Sequence, residues 1–203
     1  MELSSSQAIE AAFTLGKINY LCSKNVNLPY KIPLLTPKNL LSKLIKTINK
    51  AREISKNDKT IEELTYSQHI IRQSDTYFSE LSGSLSVFPL SIVHGDFWAG
   101  NIAFKNDRIQ ILDWADVLWG VSATSIINFI HSQENLADIQ EEIWYAYGKG
   151  WGMNISQEYI KHCHTAFLIA SLIIDLEIAL SLDENLEYLA GFAPTSEQLI
   201  AKI

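Results

Sequence analysis

Residues suited to metal binding and proton transfer are concentrated in the middle of the chain. Asp96 lies in a loop just after the β-prone run 90–93, where a carboxylate can face a cleft instead of a core. Asn101 follows in the same loop, and Asp113 comes after two further β-prone runs. Two carboxylates and one amide within a short segment are enough to suggest a site for a cation.

The two later runs predict a β-hairpin. Residues 102–104 and 109–112 are apolar and β-prone, and they flank the polar turn 105–108. The returning strand of such a hairpin would bring Asp113 back beside Asn101. Carboxylate and amide oxygens suit Mg²⁺, which takes its remaining ligands from water and substrate phosphates. The spacing therefore predicts a Mg²⁺ site at one end of the hairpin, used together with a nucleotide phosphate.

These residues also form a pattern with a known resemblance. Residues 94–96 read His-Gly-Asp, Asn101 follows after four further residues, and residues 112–114 read Leu-Asp-Trp. This pattern resembles the signature of aminoglycoside phosphotransferases and their choline-kinase-like relatives, which share a protein-kinase-like fold. The resemblance implies transfer of the γ-phosphoryl group of ATP to a substrate hydroxyl.

The resemblance also implies a role for each residue. Asp96 corresponds to the catalytic base that orients the acceptor hydroxyl and takes its proton, and Asn101 and Asp113 correspond to the Mg²⁺ ligands. His94 and Trp114 correspond to residues that support the catalytic loop by packing. The implied cofactors are Mg²⁺ and ATP, the latter as phosphoryl donor. The implied partner is a small-molecule hydroxyl acceptor: an amino sugar, a choline-like alcohol or a sugar.

Helical signals dominate the first part of the chain. Ser4 and Gln7 form a capping box before apolar residues at helical spacing over 8–21. A loop with Pro29 and Pro33 separates this helix from one that begins at residues 36–37. A third helix is predicted from about residue 60 to Gly83.

Beyond Gly120 the pattern is helical again. Glycines 148, 150 and 152 are predicted to break this part before a long helix over 156–182, and a short helix is predicted over 195–203. The predicted fold class is mainly α (α+β). It is the helical C-terminal lobe of a protein-kinase-like fold, with a small β-hairpin carrying the catalytic and metal-binding loop.

Two departures from the family pattern leave two interpretations open. Helices account for the residues before His94, and we find no Gly-rich loop and no strand Lys paired with a helix Glu. We therefore expect residues 1–203 to be a single C-terminal lobe without the nucleotide-covering N-terminal lobe, which another segment would supply. The stretch 120–126 also lacks the Asp that the family carries there. The chain is then either a small-molecule kinase, complete or truncated, or a catalytically silent remnant or binding module.

Composition excludes several other classes of protein. The 203 residues carry a net charge of −7 and are 47% apolar, with 9 Gly and 5 Pro, which argues against disordered, collagen-like and nucleic-acid-binding chains. Cys22 and Cys163 are too few for a disulfide framework. The apolar run 166–174 is too short for a membrane span, which needs about 20 residues. With no signal peptide visible, we expect a cytoplasmic protein that binds neither nucleic acid nor membrane.

Overall fold

The chain forms two compact units in the computed structural model. The first consists of Met1–Thr36 and Val87–Cys163 and contains every candidate site residue, and the second consists of Pro37–Ser86 and His164–Ile203. The structure describes residues 2–24, 32–36, 39, 42–43, 46–47, 49–50, 90–106, 108–164, 166–167 and 170–171. The helices predicted over 60–83 and 195–203 lie outside these ranges, as do parts of those predicted from residue 36 and over 156–182.

Helix α1 spans Ser5–Lys24 and begins with the capping box that the sequence predicts. The Ser4 N–H donates to Gln7 Oε1 at 3.0 Å, and the Gln7 N–H donates to Ser4 Oγ at 3.4 Å. These bonds satisfy two N–H groups that the helix itself leaves without acceptors. The residues that α1 buries are mostly small: Ala8, Ala11, Ala12, Leu15, Gly16 and Asn19.

A three-stranded sheet forms from three short, widely separated segments of the chain. Its strands are β1 (Leu34–Leu35), β2 (Ser91–Val93) and β5 (Leu118–Gly120), arranged in the order β1-β5-β2. Strand β1 runs parallel to β5, and β2 runs antiparallel to it. The sequence predicts β2 but neither β1 nor β5, because strands of two or three residues are too short to show an alternating pattern.

The predicted hairpin is confirmed. Strands β3 (Ile102–Lys105) and β4 (Arg108–Ile111) pair antiparallel, with Ile102 opposite Ile111. Asn106 in the connecting turn takes a positive φ of 52°, a conformation that Asn tolerates better than most residues.

Helices make up the rest of the first unit. They are α2 (Thr124–His131), α3 (Glu134–Ala137) and α4 (Gln140–Trp151), and a further helical run begins at residue 157. No helix within the described ranges combines the length and the apolarity that a membrane span requires.

The expectation that three glycines break the helical part is wrong for two of them. Helix α4 runs through Gly148 and Gly150 and ends only at Gly152, where φ is 76°. A Cβ on Gly150 would overlap the carbonyl oxygen of Phe13 in α1. A Cβ on Gly16 in α1 would likewise overlap the carbonyl oxygen of Tyr147 in α4. Gly150 and Gly16 therefore allow α1 and α4 to pack closely.

Three titratable groups are buried in the core beside α4. Burial raises the pKa of the Tyr147 phenol, of the Tyr159 phenol and of the Cys163 thiol above their ordinary values. All three side chains are therefore neutral in the folded protein.

We expect this burial to make the protein unfold more easily at alkaline pH. The stabilisation is complete below the unfolded-state pKa values, about 8.5 for Cys and about 10 for Tyr, and is lost as the pH rises above them. Each group can remove up to about 1.4 kcal/mol per pH unit. Urea unfolding between pH 7 and 11 measures this loss. Cys163→Ala should flatten the curve between about pH 8.5 and 10, and an unchanged curve would contradict the assignment.

Candidate active site

A loop between β2 and the hairpin carries the first candidate residues. Strand β2 is buried at all three positions, and the chain leaves it through His94 and Gly95. Gly95 takes a φ of 81°, and a Cβ there would overlap the carbonyl oxygen of Asp116. Both features require glycine at this turn. The turn directs the chain outward, so that the side chain of Asp96 is exposed at the surface.

Asp96 and Asn101 are joined directly. The Asn101 Nδ2 group donates to Asp96 Oδ2 at 3.1 Å and to the Asp96 carbonyl oxygen at 2.9 Å. Both acceptors are oxygens, so the amide nitrogen must face Asp96 and Oδ1 must face elsewhere. Asn101 thus holds the carboxylate of Asp96 in place and leaves one amide oxygen available to a cation.

The hairpin returns the chain to Asn101. Beyond the paired Ile102 and Ile111, the Leu112 N–H donates to the Asn101 carbonyl oxygen at 2.8 Å, and Asp113 comes next. Asp113 is exposed and takes a φ of 55°. An L-residue pays about 1–2 kcal/mol for this left-handed conformation, and such strain is concentrated at functional sites.

His94 connects the loop that carries Asp96 with the end of the hairpin that carries Asp113. Its Nε2 donates to the Leu112 carbonyl oxygen at 2.8 Å, and the His94 N–H donates to Ser125 Oγ at 3.0 Å. Because a carbonyl only accepts, the ring proton is on Nε2. His94 is fully buried. The bond from its ring to Leu112 ties the backbone before Asp113 to the backbone before Asp96.

Trp114 packs against this histidine. The two ring centroids are 4.5 Å apart, and Trp114 Nε1 donates to the Ile111 carbonyl oxygen at 2.9 Å. The indole therefore closes the turn that follows β4 and covers the His94 ring. Both residues contact the backbone just before Asp113, through the Leu112 and Ile111 carbonyl oxygens.

A buried polar network joins β2 to α1 and α4. The Asn19 Nδ2 group donates to the Ile92 carbonyl oxygen at 2.8 Å, and Ser91 Oγ donates to the Asn19 carbonyl oxygen at 2.6 Å. The Tyr147 hydroxyl donates to Asn19 Oδ1 at 3.1 Å and lies 3.1 Å from Ser122 Oγ. Neither this network nor Ser125 is predicted from the sequence, because the bonded partners are 31 or more residues apart or of types that occur in many surface turns.

The electrostatics of the loop favour cations. Asp96, Asp113 and Asp116 are exposed, and residues 90–104 and 109–130 contain no Lys or Arg. In the described part of the chain, no three His, Cys, Asp or Glu side chains lie close enough together to enclose a metal ion. The loop offers hard oxygens from a few side chains, and a Mg²⁺ ion held there would take its remaining ligands from water or phosphate.

A separate cavity lies away from these residues. Its volume is about 390 Å³, and its lining includes Glu141 and Tyr145 of α4 together with Asn154. No candidate site residue lines it. The candidate active site is therefore the surface formed by the loop and the hairpin end.

Comparison with known proteins identifies the family of the chain. Residues 42–154, more than half of the chain, match the model of the phosphotransferase enzyme family. The chain belongs to this family. No curated protein sequence matches this chain.

Two solved structures resemble this phosphotransferase-family chain in fold. A choline/ethanolamine kinase family protein from Mesorhizobium loti matches with a TM-score of 0.59 and 14% identity over 98% of this chain. A choline kinase from Cryptosporidium parvum matches with a TM-score of 0.56 and 16% identity over 96% of this chain. The matches span 62% and 64% of those two proteins. The fold is that of the mainly α C-terminal lobe of a protein-kinase-like protein, which confirms the predicted fold class.

Proposed function

We propose that this chain carries the catalytic site of a small-molecule kinase. The reaction is transfer of the γ-phosphoryl group from MgATP to a hydroxyl of a small acceptor. The proposal rests on one observation above the others: Asn101 holds the exposed carboxylate of Asp96 at 3.1 Å, while its own backbone is bonded to the residue before Asp113. Three oxygen-bearing side chains of the right kind thus belong to one edge of the hairpin.

The residues present fit a Mg²⁺ ion. Asn101 Oδ1 and the Asp113 carboxylate are hard oxygen donors on neighbouring backbone segments, and Asp113 is exposed. When bound there, Mg²⁺ would neutralise charge on the phosphates of ATP. The strained backbone of Asp113, with φ at 55°, is consistent with a carboxylate oriented for a ligand at a cost in stability.

Asp96 is the proposed base. Oδ2 of its carboxylate accepts a hydrogen bond from Asn101, which leaves Oδ1 for the acceptor hydroxyl. The carboxylate orients this hydroxyl and accepts its proton as the oxygen bonds to phosphorus and ADP leaves. Positioning and charge neutralisation supply most of the catalysis in such a transfer.

The acceptor class follows from the charge of the site and from one exposed aromatic ring. Trp98 is 44% exposed, two residues after Asp96, and lies against Gly100, where a Cβ would overlap the indole. An exposed indole in a loop that also carries an exposed carboxylate can attract a cation. We therefore propose an acceptor that carries both an ammonium group and a hydroxyl, such as a choline-like alcohol or an amino sugar. The likeness to two choline-kinase-type folds supports this choice.

The direct test is an ADP-release screen with MgATP on the full chain, alone and with a nucleotide-covering N-terminal lobe supplied. The acceptors are a choline-like alcohol, an amino sugar and an uncharged sugar. We expect release that depends on the acceptor and is fastest with the cationic alcohols. Nucleotide binding without acceptor-dependent release would favour the alternative of a silent binding module.

Replacing Trp98 tests the proposed recognition of the cation. Trp98→Leu should raise KM for a cationic acceptor by about 2- to 30-fold, the range expected for one cation–π contact. The KM for an uncharged sugar and the KM for MgATP should stay within about two-fold, because neither depends on the indole. Steady-state kinetics with the two acceptors measures this difference. Equal effects on both acceptors would contradict the cation–π role.

A further inference from the structure

Helix α2 (Thr124–His131) contacts the catalytic loop on both sides of Asp96. Ser125 Oγ, in the first turn of the helix, accepts the His94 N–H at 3.0 Å. Asn128 Nδ2, three residues later, donates to the Phe97 carbonyl oxygen at 3.3 Å. Residues three apart lie on the same face of a helix. One face of α2 therefore holds the backbone just before Gly95–Asp96 and just after it.

Burial makes the first of these contacts consequential. Ser125 is 4% exposed and His94 is fully buried. Strand β2 ends at Val93, so the His94 N–H lies beyond the strand pairs, and Ser125 provides its acceptor. A buried N–H without an acceptor is costly, so this hydroxyl fixes where the loop begins.

The neighbouring hydroxyls are bonded to groups other than the His94 N–H. Thr124 Oγ1 donates to the Val121 carbonyl oxygen at 2.8 Å, and Ser122 Oγ is bonded to the Tyr147 hydroxyl. Ser125 is thus the hydroxyl of this segment that is bonded to the catalytic loop. Phe97, which Asn128 holds, is also fixed by its ring, whose centroid lies 4.7 Å from that of Phe129 on the same helix.

We propose that Ser125 and Asn128 form a clamp that sets the position of Asp96. They are positioning residues, because they reach the loop backbone and not the reacting atoms. The proposal rests on the function proposed above. It adds that the helix after β5 determines the turnover number through two side-chain contacts with the loop. A small displacement of a catalytic group can cost up to about 100-fold in rate, so these contacts should affect kcat more than binding.

Amide hydrogen exchange and kinetics on the full chain test the clamp together. Ser125→Ala should speed exchange of the His94 amide at least about ten-fold and lower kcat about 10- to 100-fold, with KM for MgATP and for the acceptor within about two-fold. Ser125→Thr keeps the hydroxyl and should restore kcat. The matched control is Ser132→Ala, since Ser132 Oγ donates to the Phe129 carbonyl oxygen at the other end of α2. It should change neither quantity.

Asn128→Ser provides a second variant if Ser125→Ala does not fold, because Asn128 is only half-buried. It should speed exchange in the segment after Asp96 and lower kcat with unchanged KM. Unchanged exchange in both variants would overturn the clamp, as would faster exchange with unchanged kcat. If the unmodified chain transfers no phosphoryl group, the proposed function fails, and the exchange measurement alone decides whether the clamp exists.

Discussion

Replacing Asp96 by Asn is expected to lower kcat by about 10²- to 10⁴-fold, the range that a positioned general base contributes. The amide has nearly the same shape as the carboxylate but cannot take the proton of the acceptor hydroxyl. Asn101 Nδ2 would still find an oxygen to bond at this position, so the loop should keep its conformation. We expect KM for MgATP to change by less than about three-fold, because Asp96 is assigned to the acceptor and not to the nucleotide.

A matched control separates this effect from a general loss of charge. Asp138 is an exposed carboxylate at the C-terminal end of α3, outside the loop and the hairpin that carry the site residues. Asp138→Asn should leave kcat unchanged. Steady-state kinetics of both variants, with thermal unfolding to check folding, measures the difference. Turnover of Asp96→Asn within about three-fold of the unmodified chain would rule Asp96 out as the base.

Replacing Asp113 by Gly should make the protein more stable and less active. Glycine adopts the φ of 55° at this position without the strain that Asp pays there, so unfolding should cost about 1 kcal/mol more. The same change removes a proposed Mg²⁺ ligand. We therefore expect kcat to fall by about 10²-fold or more and the metal-dependent part of nucleotide binding to disappear.

Asn106 supplies the control for this second prediction. It also has a positive φ, 52°, but lies in the hairpin turn between β3 and β4. Asn106→Gly should stabilise the protein to a similar degree without affecting ATP binding. ATP titrations with and without Mg²⁺, combined with urea unfolding, measure both effects. Asp113→Gly would contradict the metal assignment if its Mg²⁺-dependent binding matched that of Asn106→Gly.

The sequence predicts the local part of the site because this part depends on local rules. A hairpin with a short polar turn fixes its own register, so the approach of residue 113 to Asn101 follows from the spacing alone. The capping box at Ser4 and Gln7 is equally local. The positive φ of Asp113 is not predicted, because the residue type gives only a weak preference for that conformation.

Contacts that depend on tertiary packing are not predicted from the sequence. Ser125 reaches His94 across 31 residues, and Asn19 reaches Ile92 across 73. Serine and asparagine occur in many surface turns, so their residue types alone do not identify a buried contact. Gly150 is likewise taken for a helix breaker, although it allows close packing between α1 and α4.

The most direct measurement of the proposed reaction is phosphorus NMR of the full chain with MgATP and a choline-like alcohol. We expect equal amounts of ADP and a new phosphomonoester, and at least about 100-fold less ester over the same time when Asp96→Asn replaces the unmodified chain. Inorganic phosphate in place of the ester, or the same yield of ester from Asp96→Asn, would contradict phosphoryl transfer at this loop.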